Sequence, residues 1–194
     1  FGSRYCSVVT NGSSALYIAA KSLGWKRGDC VIPTANTFQA TASCILHTGA
    51  KPEFVDICKN NYTIDVNKVE EKLKKLKGKV KAVIGVDYAG HPCDWQSLKF
   101  LSKKYKLKLI NDNCHAMGAK IDNNKRYAIK YADIVTQSFH PVKHITTGEG
   151  GVVLTDNKNY YDRICSYRNL FVNNERRFKH YDLGYNGRMT NIQA

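Results

Sequence analysis

Apolar residues along this chain fall into two alternating patterns: short continuous runs, and stretches where they recur every three or four positions. Residues 5–10, 30–33, 80–86, 107–110, 134–138 and 152–155 have strand length and composition, with 53–56 a weaker strand-like stretch. The run 80–86 is almost uninterrupted, as a strand covered on both faces requires. Helical spacing marks 13–23, 38–47, 66–76 and 159–170, together with a helix that Asp94 can cap and that runs to Lys104. Gly24, Gly49 and Gly78 stand where three of these helices must stop. Residues 171–194 are polar and predict an irregular tail.

Strand–helix alternation of this kind predicts an α/β fold, a mainly parallel sheet flanked by helices on both faces. Ligands in such sheets bind beyond the carboxyl ends of the strands. Asn11, Asp112 and Ser138 all stand just after predicted strands, so one cleft can hold them. No Gly-x-Gly-x-x-Gly or Walker pattern is present, which argues against a dinucleotide or ATP site.

Composition narrows the partners. With 194 residues, 43% hydrophobic and 24% charged, the chain suits one packed domain. Its net charge of +14 invites a polyanion, yet the lysines cluster at 70–77 and 99–108, where Leu and Phe keep helical spacing. That is an amphipathic helix with a solvated basic face. No arginine–aromatic interleaving, zinc knuckle or helix-turn-helix accompanies it, so nucleic acid is not the expected partner. An acidic, phosphorylated small substrate would be drawn by the same field. The seven cysteines are scattered without a Cys-x-x-Cys pair, which predicts neither a disulfide framework nor a metal site, and most of them read as small core residues. The charge-free stretch 30–50 contains Pro33, Asn36, Gln39 and His47, too polar for a spanning helix. A soluble, cytoplasmic protein with no membrane partner is expected.

The candidate chemistry centres on Gln137-Ser138-Phe139-His140-Pro141-Val142-Lys143-His144-Ile145-Thr146-Thr147-Gly148-Glu149-Gly150-Gly151. A lysine hemmed by Phe139, Pro141 and Val142 just past a strand is placed for desolvation, which turns an amine into a nucleophile for carbonyls. A surface lysine in a hairpin reads the same locally. Thr10-Asn11-Gly12-Ser13-Ser14 puts a glycine and hydroxyls at a helix start, suited to a phosphate monoester, but equally an ordinary turn with a serine cap. Asp112, ending an apolar strand, needs a cation partner or else caps a turn. Phe38, at a helix start, is a core residue or a stacking platform.

These segments together resemble the DegT group of nucleotide-sugar aminotransferases, enzymes of fold type I that use pyridoxal 5′-phosphate. The match runs through the whole chain in the family's motif order. The resemblance implies that Lys143 carries the cofactor as a Schiff base and acts with Asp112 in catalysis. It further implies that Asp112 pairs with the ring nitrogen, that His115 meets the phenolic oxygen, and that Phe38 covers the ring. Gly12, Ser13 and Ser138 are then the phosphate cradle, and Asn186, in Gly184-Tyr185-Asn186-Gly187-Arg188, reaches a partner subunit's phosphate in a homodimer with shared sites. Asn111 and Asn113 depart from the family's usual glutamate and alanine. The substrates implied are an amino-acid donor, glutamate by family habit, and a nucleotide-linked keto-sugar. The wording around Lys143 is most similar to the branch serving pseudaminic acid synthesis, which aminates C4 of a UDP-linked 4-keto-6-deoxy-HexNAc. Sugar dehydratases of the same family put histidine in place of that lysine, which His140 and His144 flank without occupying. A non-catalytic anion-binding or regulatory module is the remaining alternative. The resemblance also predicts a large domain truncated at both ends, lacking an N-terminal segment and a C-terminal small domain, whose acceptor pocket is incomplete alone.

Overall fold

The computed structural model describes residues 1–173 and 176–194. Seven strands form one sheet: β1 (Tyr5–Val9), β2 (Cys30–Pro33), β3 (Lys51–Pro52), β4 (Val80–Val86), β5 (Lys108–Asp112), β6 (Ile134–Ser138) and β7 (Gly151–Thr155). Their order across the sheet is β1-β7-β6-β5-β4-β2-β3. From β6 to β3 all pairings are parallel, whereas β7 runs antiparallel to both β6 and β1. The expected mainly parallel sheet is thus present, with one reversed strand.

That reversal positions the site. The β6–β7 connection, 139–150, returns at the same edge of the sheet where β4 and β5 end, and β1 delivers Asn11 to that edge too. Gly151 is opposite both Val9 and Ser138. A Cβ there would stand 2.7 Å from the Asn11 backbone and 2.9 Å from the Gln137 carbonyl oxygen, so only glycine lets the chains approach this closely.

Among the described residues six helices cover the sheet: α1 (Gly12–Ser22), α2 (Gln39–Leu46), α3 (Val66–Leu76), α4 (Trp95–Tyr105), α5 (Tyr127–Tyr131) and α6 (Lys158–Arg168). One face packs α1, α2 and α6 against Val31, Ile84, Ile110, Ile134 and Val153. The other packs α3, α4 and α5 against Val83, Leu109, Val135, Val152 and Leu154. Alternate residues of β4–β7 therefore serve opposite cores, which is why their sequences are continuously apolar. Asn11, Asp65, Asp94 and Asn157 each accept backbone N–H groups at the first turn of α1, α3, α4 and α6; Asp94 is the cap the sequence predicted, whereas α1 is capped by Asn11 and not by a serine.

Three expectations need correction. Residues 53–56 do not form a regular strand; β3 ends at Pro52, although the Glu53 and Val55 N–H groups still donate to Val31 and Pro33, and Val55 makes an isolated bridge to Thr34. Strand β5 does not stop at Ile110 but continues through Asn111 and Asp112, because both polar side chains find buried partners. The tail is not irregular throughout. It holds a two-stranded hairpin, β8 (Val172–Asn173) with β9 (Arg176–His180), and its later part is tied to the domain. The backbone N–H groups of Tyr185 and Gly187 donate to Tyr167 and Arg168, and Thr10 donates to Gly187. Backbone bonds supply this order rather than a buried side-chain stripe, so no hydrophobic period announces it. All seven cysteines are free, but only Cys30, Cys44 and Cys93 are buried, fewer than the apolar runs suggest.

Candidate active site

A cavity of about 470 Å³ opens at the carboxyl ends of β4, β5 and β6, between the start of α1 and the segment leading into α2. Such a volume suits a small cofactor or ligand. Gly12, Ser13, Phe38, Asp112, His115, Ser138 and Lys143 all line it. Asn186 does not: it is exposed on the tail, where its Oδ1 accepts from Arg188 Nε at 3.2 Å. The sequence therefore anticipated one cluster, and the fold brings all but one of its members together.

At one end of the cavity, Asn11 caps α1 by accepting the Ser14 N–H at 2.8 Å, which turns the first helical N–H groups and the Ser13 hydroxyl outward. Beside them is Ser138, the last residue of β6. A Cβ on Gly12 would meet Ser138 Cβ at 2.8 Å, so the missing side chain lets the helix start and the serine hydroxyl converge. This makes a compact set of donors with the partial positive charge of a helix N-terminus behind it.

Asp112 forms the floor. It is only 4% exposed, and Thr41 Oγ1, on α2, donates to its Oδ2 at 2.8 Å. Thr37 in turn donates to Thr41 at 2.8 Å. Among the described residues no lysine, arginine or histidine pairs with this carboxylate. Its charge is felt by its neighbours: burial first, then Asp112, pushes the Cys114 thiol well up, and the same two causes act on Cys44. Neither is a thiolate at neutral pH.

Lys143 is half-buried in the loop after β6, its backbone N–H bonded to the His140 carbonyl at 2.9 Å. His140 lines the cavity beside it, and Glu149 Oε1 lies 3.7 Å from His140 Nε2. His144 is exposed and outside the lining. His115 has its pKa lowered, chiefly by burial and next by Lys143, so it presents a neutral imidazole at physiological pH. Tyr88 stands edge-on to its ring, with centroids 6.0 Å apart. Phe38 is 72% exposed at the cavity lip, which rules out a core role and leaves its ring free to cover a ligand.

Sequence reasoning missed Thr41, Tyr88 and Glu149. For Thr41 a signal existed: Thr37 and Thr41 are one helical turn apart, on the side that meets β5. Tyr88 lies in a short 3-10 turn (Tyr88–Gly90) that no periodicity marks. A second cavity of about 430 Å³ shares Asn11, Ser13 and Ala40 with the first and is lined by Tyr17, His47 and Tyr185. Tyr17 sets its edge against both His47 and Tyr185. No group of His, Cys, Asp and Glu suited to a metal occurs among the described residues, and no helix there is long and apolar enough to cross a membrane.

The family model for DegT/DnrJ/EryC1/StrS aminotransferases matches residues 1–194. GDP-perosamine synthase from Escherichia coli O157:H7 is 39% identical over 191 residues, covering 98% of this chain and 51% of that protein. A UDP-4-amino-4,6-dideoxy-N-acetyl-beta-L-altrosamine transaminase from Campylobacter jejuni is 39% identical over 193 residues, with 98% and 50% covered. Among solved structures, NtdA from Bacillus subtilis with bound cofactor PMP superposes with a TM-score of 0.89 at 32% identity, covering 98% of this chain and 42% of that one. The chain spans about half the length of the curated relatives it matches.

Proposed function

The chain belongs to the DegT/DnrJ/EryC1/StrS aminotransferase family, and from that premise we propose that residues 1–194 form the cofactor-binding large domain of a pyridoxal 5′-phosphate-dependent aminotransferase. The reaction moves an amino group from an amino acid, glutamate by family habit, to the keto group of a nucleotide-linked deoxysugar. The enzyme works as a cytoplasmic homodimer with shared sites. The relatives matched at 39% are named for a GDP-linked and a UDP-linked sugar, so the acceptor is assigned as a class, with pseudaminic acid synthesis as one member of it.

One observation carries this reading: a buried carboxylate, Asp112, opens into the cavity lined by Lys143 and is ion-paired with no side chain among the described residues. A carboxylate so placed is stabilised by a protonated ring nitrogen. The rest of the lining fits the same group. The Gly12–Ser138 approach sets the serine hydroxyl beside the first N–H groups of α1 as donors for a phosphate, and the exposed Phe38 ring offers a face for a pyridine. Pyridoxal phosphate, when bound, supplies an electron sink for the pair released as the donor Cα–H bond breaks.

The chain's residues supply the remainder. Asp112 accepts the ring N–H and keeps that nitrogen protonated, while Thr41 fixes the carboxylate from the other side. Lys143 Nζ would hold the cofactor covalently and, when free, would carry the proton from the donor Cα to the cofactor C4′ as base and then acid. His115 is the hydrogen-bond partner of the phenolic oxygen. Ser13, Ser138 and the first N–H groups of α1 bind phosphate, and Phe38 excludes water from one ring face. A dehydratase is disfavoured by the lysine at position 143.

Covalent labelling tests the reading. Protein given pyridoxal phosphate is expected to turn yellow, and borohydride to fix one label on the Lys143 peptide. A label on some other lysine, retained in Lys143→Ala, would overturn it.

A further inference from the structure

We propose that Asp87 is a positioning residue for Asp112, gripping the carboxyl ends of β4, β5 and β6 from the sheet face opposite the cavity. The proposal rests on the cofactor reading of Asp112 above. Asp87 follows β4 directly and is fully buried, at 0% exposure. Among the described residues it has no cationic partner. Instead it takes five hydrogen bonds. Oδ1 accepts from the Cys93 N–H at 2.9 Å and from Trp95 Nε1 at 2.8 Å. Oδ2 accepts from Asn111 Nδ2 at 3.0 Å, Asn113 Nδ2 at 2.8 Å and the Tyr127 hydroxyl at 2.8 Å. Every partner donates, which is the bonding of a carboxylate rather than of its acid.

Two of those donors flank Asp112. Side chains alternate along a strand, so Asn111 points away from the cavity while Asp112 points into it, and Asn113 just past the strand turns the same way as Asn111. The Asp87 backbone N–H also donates to the Asp112 carbonyl at 3.2 Å. Residues 111–113 are thereby held at three points by one residue, while the Asp112 carboxylate itself is met by the Thr41 hydroxyl and by Cys114. The grip extends further, because Asn113 Oδ1 accepts from Gln137 Nε2, and Gln137 precedes Ser138. An apolar cluster would fill this space at lower desolvation cost. What the charged hub adds is direction: it fixes which way the strand ends face, and misplacement of about 1 Å at a reacting group costs on the order of 10²-fold.

A double-mutant cycle on pyridoxal phosphate affinity, read by absorbance titration, tests this. Asp87→Asn keeps the shape but turns an amide N–H₂ against donors. It is expected to weaken binding by about tenfold in the wild-type background and by less than about twofold when Asp112→Asn is already present, the signature of acting through Asp112. Equal weakening in both backgrounds, or none in either, would overturn the proposal, since a merely structural role lowers affinity regardless of residue 112. If Asp87→Asn does not fold, Tyr127→Phe removes a single donor and carries the same cycle. Unchanged affinity in Asp112→Asn alone would instead refute the ring-nitrogen role of Asp112, and the two failures are thereby distinct.

Discussion

At Asp112 two requirements meet, burial that makes a negative charge costly and an opening through which a cation can arrive. Replacing the carboxylate with an amide keeps the Thr41 contact but removes the charge that the proposed function assigns to holding a ring nitrogen protonated. Asp112→Asn is therefore expected to retain phosphate-side contacts and lose turnover with glutamate on the order of 10²-fold or more. The measurement is the rate of the glutamate half-reaction in the intact protein, and near wild-type rates would reduce Asp112 to a turn cap. His115 gives a pH test. Its folded pKa lies below the ordinary histidine value because burial, and then Lys143, penalise the imidazolium. On acidification the unfolded chain therefore binds this proton first, so the stability associated with neutral His115 is complete above about pH 6.5 and declines below it. Urea midpoints at pH 7 and pH 5.5 should fall more for wild type than for His115→Gln. A wild type that loses less than the variant would contradict the sign.

Among the helices, α3 and α4 show where the positive charge resides. Val69 and Leu73 of α3, with Trp95, Leu98 and Leu101 of α4, face the core, and the lysines point outward. Several are already paired, Lys68 with Asp56 at 2.9 Å and Lys104 with Glu70 at 2.6 Å. Exposed pairs of this kind add little stability, so the burial on the inner face fixes these helices. Helix α4 matters to the site because Trp95 Nε1 reaches Asp87 from its first turn. The cap on that turn is Asp94, which accepts the Ser97 N–H at 3.0 Å. Asp94→Ala is expected to cost about 1 kcal/mol, lowering the thermal midpoint by roughly 2–4 °C in a chain of this size. Calorimetry checks it, and a midpoint unchanged within error would show that water replaces the cap.

For the molecule as a whole, the question is what Asn186 serves. It is bound to its own domain by the backbone of its neighbours, yet its side chain is exposed and outside the cavity that holds Lys143. Tyr185 meanwhile reaches the adjoining cavity at Ser13 and Tyr17. The proposed shared-site dimer would give such a residue, held at the surface beside the site without entering it, a second copy to serve. Closed two-fold dimers are the commonest arrangement for such an exchange. Mixing a Lys143→Ala chain with an Asn186→Ala chain is then expected to restore activity, since the heterodimer assembles one site with both groups intact. Absence of recovery at every mixing ratio would assign Asn186 to its own subunit's site or to none.

The order of strands and helices was legible in the sequence because burial imposes periods, 2 for a strand face and about 3.6 for a helix, and caps punctuate them. Strands at 80–86 and 134–138 and the helix at 66–76 coincide with β4, β6 and α3 for that reason. Part of the candidate site was legible because Asn11, Asp112 and Ser138 stand at strand ends, where a parallel sheet gathers its ligands, whereas Phe38, His115 and Lys143 were marked by the family resemblance. What the sequence left open depends on contacts between distant residues. Nothing local shows that Thr41 meets Asp112 across 71 positions, or that Asp87 gathers donors from Asn111, Asn113 and Tyr127. Asn111 and Asn113 read as departures from a pattern until the fold puts one buried carboxylate between their amides. Hydrogen bonds select partners by position in space, and that position exists only once the sheet has closed around them.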